Sequence, residues 1–173
     1  MHVTIVDKAL DSLPPIKTAR LHLRACRLGD AETFRALTND PSITSAVDFL
    51  SFPFGLADAE RLIVGQGDGR DCFWGVWLKD GAQMIGAVGT HLRGTDEIEI
   101  GYWLAAEMRG RGLAGEAVTA VVAALASAYP ARLIFAECRP ENTASWCLLE
   151  TVGLRADGSD GLRAGRKRLM MPG

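Results

Sequence analysis

Hydrophobic and polar residues alternate along several stretches of the chain, a pattern typical of half-buried β-strands. In "TARLHLRAC", Leu21, Leu23 and Ala25 share one face. His22 and Arg24 lie on the other face, because successive side chains of a strand point in opposite directions. We therefore predict a strand here with one face against the core and with His22 in solvent.

A helix is predicted directly after this strand, in "GDAETFRALTNDP". Asp30 can cap its N-terminus, and Phe34 and Leu37 lie three residues apart on one face. The run "NDP" ends it. The next segment, "SFPFGLADAERLI", begins as a Pro/Gly loop and becomes a short helix after Asp58.

The middle of the chain predicts three consecutive antiparallel strands. Two β-rich runs in "DCFWGVWLKDGAQMIGAVGTHL" flank Asp80 and Gly81, which is a strong hairpin signal. A second turn, "RGTD", leads to "EIEIGYWL", another alternating strand. We predict that His91, close to this second turn, is solvated.

Helices and strands alternate in the C-terminal half. A long helix is predicted from near Gly112 to about Tyr129, followed by the short buried strand "RLIFAEC". A second helix, "NTASWCLLETVG", has Asn142 as N-cap and Gly153 as C-terminal stop. The last residues predict two strands around a Gly/Asp turn. The order β-α-α-β-β-β-α-β-α-β-β indicates an α/β fold, a mixed sheet with helices on its faces.

The composition is that of an ordinary globular domain. The chain has 173 residues, of which 48% are hydrophobic and 23% charged, enough for one domain with a sizeable core. We expect a single domain over residues 1–173, with residues 1–16 flexible or peripheral. A net charge of −2 argues against a nucleic-acid partner. No apolar run reaches roughly 18 residues, so we expect no membrane partner.

The cysteines give no sign of a metal site. Cys26, Cys72, Cys138 and Cys147 show neither CxxC spacing nor a neighbouring histidine, so we expect no metal. The N-terminal "MHVTIVDKALDSLPPIK" lacks the long apolar run of a signal peptide. A reducing, cytoplasmic location is therefore expected.

The stretch "EMRGRGLAGEA" carries two overlapping phosphate-binding patterns. Gly110-x-Gly112-x-x-Gly115 has the spacing of a dinucleotide-binding turn. Arg109-x-x-Gly112-x-Ala114 has the spacing of a different pyrophosphate-binding turn. Either pattern would place a phosphate over the N-terminus of a helix.

The dinucleotide interpretation has one supporting residue, Glu137, an acid at the end of the next strand. Three observations oppose it. The spacer "AAEMR" separates the glycines from the preceding strand. That strand alternates charged and apolar residues, whereas a central parallel strand is apolar throughout. Finally, about 35 residues follow Glu137, too few for further βαβ units.

The second pattern fits better. Backbone N–H groups at the helix start can point at a pyrophosphate, and these belong to Gly110, Arg111, Gly112, Leu113 and Ala114. Glycines allow the backbone to approach the ligand closely. The two arginines of the turn add charge-assisted contacts to a ligand with more than one phosphate group.

The segment Arg109–Ala114, "RGRGLA", resembles the acetyl-coenzyme A turn Q/R-x-x-G-x-G/A of the GNAT N-acetyltransferases. Three segments are similar, in the right order, to the branch that contains the ribosomal-protein-alanine N-acetyltransferases: "TARLHLRACRLGDAETFRAL", "EIEIGYWLAAEMRGRGLAGEA" and "NTASWCLLETVGL". The resemblance implies a mostly antiparallel sheet of about seven strands with about four helices, and a splay between the fourth and fifth strands. It also implies acetyl transfer to a primary amine, with acetyl-coenzyme A as cosubstrate and no metal.

The resemblance further assigns roles around the splay. Backbone groups near Tyr102 and Leu104 would hold the pantetheine arm by β-like hydrogen bonds. Asn142 would meet the same arm, in addition to capping its helix. Ser145, in the family's N-x-x-S segment, would protonate the leaving thiolate.

Acid and base candidates follow from the same comparison. Glu97 and Glu99 share one face of their strand, where two acids could attract a cationic amine and deprotonate it. Glu99 is favoured as the base because it is closer to the splay. Many family members carry a tyrosine as general acid seven residues after the asparagine, where this chain has Leu149. The acid is then Ser145, a water, or dispensable.

The acceptor is left open by the sequence. It is a protein or peptide N-terminus, or a small-molecule amine such as an amino acid, a polyamine or an antibiotic. A non-catalytic acetyl-coenzyme A-binding module is the alternative, and the chain is a monomer or a homodimer. The acceptor groove is expected around "DFLSFPFGLADAERL" and "GSDGLRAGRKR", where Phe49, Phe52 and Phe54 wall it or anchor the loop.

Overall fold

The computed structural model describes residues 8–173 of the chain. Eight strands lie within these residues: β1 (Ile16–Lys17), β2 (Leu21–Ala25), β3 (Asp71–Leu78), β4 (Met84–Arg93), β5 (Glu97–Leu104), β6 (Leu133–Cys138), β7 (Arg155–Asp160) and β8 (Lys167–Met170). The α-helices described are α1 (Ala31–Thr38), α2 (Pro41–Thr44), α3 (Leu56–Val64), α4 (Leu113–Ala128) and α5 (Thr143–Val152).

All eight strands join one sheet in the order β1-β2-β3-β4-β5-β6-β8-β7. Neighbouring strands are antiparallel except β5 and β6. Helices α1, α2 and α3 cover one face, where Phe34 is fully buried. Helices α4 and α5 cover the other, where Val121 is fully buried. The predicted mixed sheet with helices on its faces is confirmed.

Two short elements account for the difference from about seven strands and four helices. Strand β1 has two residues, with Ile16 opposite Leu23 on β2. Helix α2 is a single turn that starts at Pro41, and Asp40 caps it by accepting a hydrogen bond from the Ser42 N–H at 2.8 Å. Segments this short contain too few residues for a periodicity to show.

The N-terminal segment, expected to be flexible or peripheral, contributes to the core from Leu10 onward. Leu10 is fully buried, and its N–H donates to the Gly69 carbonyl at 2.9 Å. Leu13 is buried as well. The part of that segment before Lys8 lies outside the described residues. None of the helices in residues 8–173 has the length and hydropathy needed to cross a bilayer.

Strands β5 and β6 part before either of them ends. Their last parallel pair is Ile100 with Ala136, whereas β5 continues to Leu104 and β6 to Cys138. Since β1 adds one strand to the count, this gap is the splay predicted between the fourth and fifth strands. It opens the sheet next to the N-terminus of α4.

Candidate active site

The end of β5 presents backbone groups to the splay. The Ala105 N–H donates to the Ile85 carbonyl on the β4 side, while the Leu133 N–H on the β6 side donates to the Asp96 carbonyl, both at 2.8 Å. Peptide groups of a strand alternate in direction, so odd-numbered residues of β5 face β4 and even-numbered residues face β6. The N–H and C=O of Tyr102 therefore face the gap that β6 leaves open.

Arg109 links the turn after β5 to the end of that strand. Its Nε donates to the Leu104 carbonyl at 3.2 Å and its Nη2 to the Ser42 hydroxyl of α2 at 3.1 Å. The Leu104 carbonyl, expected to help hold a pantetheine arm, is thus already a hydrogen-bond acceptor. The Leu104 N–H faces the splay like the peptide groups of Tyr102.

The glycines of "RGRGLA" adopt the left-handed backbone conformation, with φ of +76° at Gly110 and +74° at Gly112. Helix α4 begins at Leu113, and the Glu116 N–H donates to the Gly112 carbonyl at 3.1 Å. The N–H groups that precede Glu116 in the first turn, including that of Ala114, have no intrahelical acceptor. This turn therefore presents donors and the positive end of a helix dipole, as an anion requires.

Arg20, directly before β2, bonds to the turn and to α4. Its Nη1 donates to the Arg111 carbonyl at 2.8 Å, and its Nε donates to Glu116 at 2.7 Å. The Arg111 side chain is exposed. The two predicted phosphate ligands therefore differ, because Arg109 is bonded into the scaffold while Arg111 lies at the surface.

A cavity of about 940 Å³ is lined from both faces of the sheet at the splay. On the α4 side its wall includes Gly112, Ala114, Asn142 and Ser145. On the opposite side, called the acceptor side from here on, it includes Asp71, Phe73, His91, Glu99 and Arg163. A ligand on the α4 side can therefore meet a second ligand through the gap between β5 and β6.

Tyr102 and Ser145 meet on the α4 side. The phenol donates to the Ser145 hydroxyl at 3.0 Å, and the Ser145 N–H donates to Asn142 Oδ1 at 3.2 Å, which confirms Asn142 as the N-cap of α5. Burial raises the pKa of the Tyr102 phenol, so it is protonated at neutral pH. Because the phenol is the donor, the Ser145 hydroxyl retains its own proton for another acceptor.

Glu99 lies on the acceptor side between two arginines. It accepts from Arg93 Nε at 2.7 Å and from Arg163 Nη1 at 2.5 Å, and its side chain is 8% exposed. Burial acts to raise the Glu99 pKa, but these two guanidiniums outweigh burial and lower it. The carboxylate is therefore ionised at neutral pH, and a low pKa makes it a weak proton acceptor. The second acid, Glu97, pairs with Arg168 at 2.5 Å.

The prediction that His91 is solvated is wrong. Its side chain is 13% exposed and borders the cavity, with Nδ1 2.7 Å from Asp71 Oδ1. Its ring meets Phe73 edge to face, with centroids 5.4 Å apart. Pairing across β3, β4 and β5 places Asp71, His91 and Glu99 in one row of the sheet. Sequence periodicity assigned His91 to a strand end but gave no information on what covers it.

Aromatic rings form part of the acceptor side. The Phe49 ring lies 6.2 Å from the rings of Phe73 and Trp103, and Phe49 borders the cavity. The other two phenylalanines of the predicted groove differ, because Phe54 is 3% exposed in the core and Phe52 is 57% exposed. Within residues 8–173 no group of His, Cys, Asp or Glu side chains is arranged to hold a metal ion.

The family model of the acetyltransferase (GNAT) domain matches residues 20–155. The chain belongs to the GNAT acetyltransferases. This GNAT chain is similar, with 28% identity over 147 residues, to the uncharacterized N-acetyltransferase p20 of Bacillus licheniformis, and the match covers 82% of each chain.

Solved GNAT structures share the fold. One is RimL, a ribosomal L7/L12 alpha-N-protein acetyltransferase in complex with coenzyme A. It has a TM-score of 0.77 and 17% identity, and the match covers 91% of this chain and 97% of that one. Another is the ribosomal-protein-S5-alanine acetyltransferase from Vibrio fischeri, with a TM-score of 0.77, 18% identity, and coverage of 91% and 94%. At these identities the likeness establishes the fold.

Family membership confirms the predicted enzyme class, an N-acetyltransferase with acetyl-coenzyme A as cosubstrate. The dinucleotide interpretation of "RGRGLAG" is set aside with it. Many GNAT enzymes have a tyrosine that acts as general acid at the position of Leu149. Here Leu149 lies in the core and is 2% exposed. The roles of individual site residues stay predictions.

One buried cluster has no counterpart among the predicted site residues. Glu137, the acid that supported the dinucleotide interpretation, has a side chain 1% exposed. It accepts from the Leu162 N–H at 2.7 Å and from Arg163 Nη1 at 3.1 Å. Arg163 also bonds Glu99, so it joins β5 and β6 on the acceptor side of the splay. Gly161 leaves room for this carboxylate, since a Cβ there would lie 2.8 Å from the Glu137 carboxyl carbon and would displace it.

Proposed function

We propose that this GNAT enzyme acetylates the primary amine of a protein or peptide N-terminus by direct attack on the thioester of acetyl-coenzyme A. The cavity that is lined from both faces of the sheet carries this proposal. Acetyl-coenzyme A bound at the α4 turn would present its thioester in the splay. An amine on the acceptor side would then reach the carbonyl without a covalent enzyme intermediate.

The α4 side offers contacts for the pyrophosphate and for the pantetheine arm of the cosubstrate. The pyrophosphate would be bound by the turn residues Arg109, Gly110, Arg111, Gly112, Leu113 and Ala114. The pantetheine arm would pair with the peptide groups of Tyr102 and Leu104 that face the splay. The Asn142 side chain borders the same cavity and would meet this arm.

The reaction forms a C–N bond and breaks the C–S bond. The amine nitrogen attacks the carbonyl, and a backbone N–H at the splay stabilises the developing oxyanion. The departing thiolate takes a proton through Ser145, whose hydroxyl accepts a hydrogen bond from Tyr102. Glu99, the base predicted from sequence, lies on the acceptor side with both carboxylate oxygens bonded to arginines.

Two observations support a peptide N-terminus as acceptor. The rings of Phe49, Phe73 and Trp103 offer an apolar surface for the side chain next to the amine. Arg163 and Arg166 also line the cavity, where guanidiniums could donate to peptide carbonyls. In addition, the fold neighbours described above act on ribosomal proteins.

We also propose that the enzyme works in the cytoplasm, as predicted from the cysteine pattern. The cysteines of the described residues are free, which suits a reducing compartment.

The deciding experiment is an acceptor panel with acetyl-coenzyme A, read by release of free thiol and by product mass. The panel contains short peptides with free N-termini, the same peptides with blocked N-termini, single amino acids, polyamines and aminoglycosides. We expect turnover with free peptides and none with their blocked counterparts. Turnover confined to small amines would replace the peptide acceptor, and no turnover with any amine would contradict the function.

A further inference from the structure

The pair formed by His91 and Asp71 has no role in the proposal above. A hydrogen bond from His91 is the main cause that lowers the pKa of the Asp71 carboxyl, so Asp71 is ionised at neutral pH. A carboxylate can only accept hydrogen bonds. We therefore assign the proton of the neutral imidazole to Nδ1, which leaves a lone pair on Nε2.

Nε2 of His91 lies above a pair of glycines. A Cβ added at Gly89 would crowd both His91 Nε2, at 3.0 Å, and Phe73 Cε1, at 3.1 Å, so these rings occupy the space over this glycine. Gly89 pairs across the sheet with Gly101 of β5, where an added Cβ would meet nothing within 4 Å. Gly101 directly follows Ile100, the last residue of β5 that pairs with β6. Nε2 therefore lies beside an open part of the cavity at the level where the splay begins.

His91 and Glu99 differ in whether their proton-accepting atoms already receive hydrogen bonds. Each carboxylate oxygen of Glu99 already accepts from an arginine, so an amine proton could bind there only in competition with Arg93 or Arg163. No hydrogen bond from the described residues reaches Nε2 of His91. An imidazole changes charge near neutral pH, which suits it to accept a proton and return it to solvent.

Other charged groups also line this part of the cavity. They are Arg93 on β4, Glu99 on β5, Arg61 on α3 and Arg163 before β8. Each of the three arginines has an acidic partner: Glu99 for Arg93, Glu99 and Glu137 for Arg163, and Asp58 for Arg61. Their positive charge is thus largely compensated, and Asp71 is the charged group in direct contact with the imidazole.

We propose that His91, oriented by Asp71, is the general base that takes the proton from the acceptor amine. The proposal rests on the proposed acetyl transfer. As the C–N bond forms, a proton moves from the amine nitrogen to Nε2. The C–S bond then breaks, and the sulfur leaves as a thiolate that takes a proton from Ser145. The imidazolium releases its proton to solvent, and Ser145 regains one from solvent. The products are the acetylated amine and coenzyme A.

The test compares His91→Asn with wild type on the best acceptor of the panel. Asparagine keeps a donor that can face Asp71 but lacks Nε2. We expect kcat to fall about 100-fold at pH 7 and the acid limb of the kcat/KM profile to disappear. The calorimetric Kd for acetyl-coenzyme A should be unchanged. The matched control is His22→Asn on β2, where the histidine packs against Trp77 away from the cavity; it should keep the wild-type rate and profile.

Two further measurements distinguish a His91 that acts as a base from one that only supports the structure of the site. In His91→Ala, added imidazole should restore activity in proportion to its unprotonated concentration, which a purely structural role would not allow. Asp71→Asn should lower kcat, because the imidazole loses the carboxylate that accepts its Nδ1 proton and orients the ring.

An acid limb that persists in His91→Asn, or that Glu99→Gln removes instead, overturns the proposal. If His91→Asn fails to fold, the kcat of Asp71→Asn decides, and an unchanged kcat counts against His91. Failure of the proposed function looks different, since wild type itself would then release no thiol with any amine.

Discussion

The phenol of Tyr102 on β5 donates a hydrogen bond to the hydroxyl of Ser145 on α5, with 3.0 Å between the oxygens. This bond links β5, at the point where it has parted from β6, to the helix capped by Asn142. It places a tyrosine hydroxyl beside the predicted acid, although Leu149 occupies the position where many GNAT enzymes carry their tyrosine.

Tyr102→Phe should lower kcat by about 3- to 10-fold, the equivalent of one neutral hydrogen bond that orients Ser145. Ser145→Ala should lower it at least as much, and the double variant should be no slower than Ser145→Ala. Steady-state rates of the four enzymes measure this. A Tyr102→Phe effect of equal size in the Ser145→Ala background would mean that the two hydroxyls act independently.

We expect Arg109 and Arg111 to differ in their effects on ligand binding and on the stability of the fold. Arg111→Ala should weaken acetyl-coenzyme A binding about 10-fold, the loss of one charge-assisted contact, with an unchanged melting temperature. Arg109→Ala should weaken binding and also lower the melting temperature, because it removes the bonds to Leu104 and Ser42. Calorimetry and thermal melts test both. Arg35→Ala on α1 is the control, and equal binding losses at all three positions would argue against a specific turn.

We expect the stabilisation contributed by Glu99 to be lost at acid pH. Its folded pKa is lowered below the ordinary 4.5, so its stabilisation is complete above that value and is lost as pH falls through the folded pKa. Glu99→Gln should therefore melt lower than wild type at pH 7, with a gap that narrows below about pH 4. Glu32→Gln is the control, an exposed glutamate paired with Arg35, and should show little gap. A constant Glu99→Gln gap from pH 7 to 3 would contradict the assignment.

Acetyl-coenzyme A should stabilise the fold, and NAD or NADP should not. At about 100 times its Kd, a ligand adds about 2.7 kcal/mol to the free energy of unfolding. For a chain of this size that is a melting shift of roughly 5–10 °C, readable by scanning fluorimetry. Coenzyme A should give a similar shift, since its pyrophosphate and pantetheine are the same. A shift with NAD and none with coenzyme A would return the turn to the dinucleotide interpretation.

Local patterns were sufficient to predict most of the architecture. Alternation predicted β2 and β5, and two β-rich runs around a hairpin signal predicted β3 and β4. Helix signals placed α4 and α5 close to their observed bounds. The turn at "RGRGLA" could be predicted because a positive φ, found at Gly110 and Gly112, favours glycine at that very position. Residues only a few positions apart decide each of these features, so they are present in the sequence itself.

Only the tertiary structure decided the partners of the site residues. Arg163 reaches Glu99 across 64 positions of sequence, and Tyr102 reaches Ser145 across 43. Asp71 meets His91 because β3 and β4 pair in one particular register. Sheet register and the docking of the last hairpin set these distances, and the proton affinity of a carboxylate or an imidazole depends on such neighbours. The sequence therefore determined the fold and the glycine turn before α4. The packing of distant elements decided which acid is bound by arginines and which nitrogen is open to the cavity.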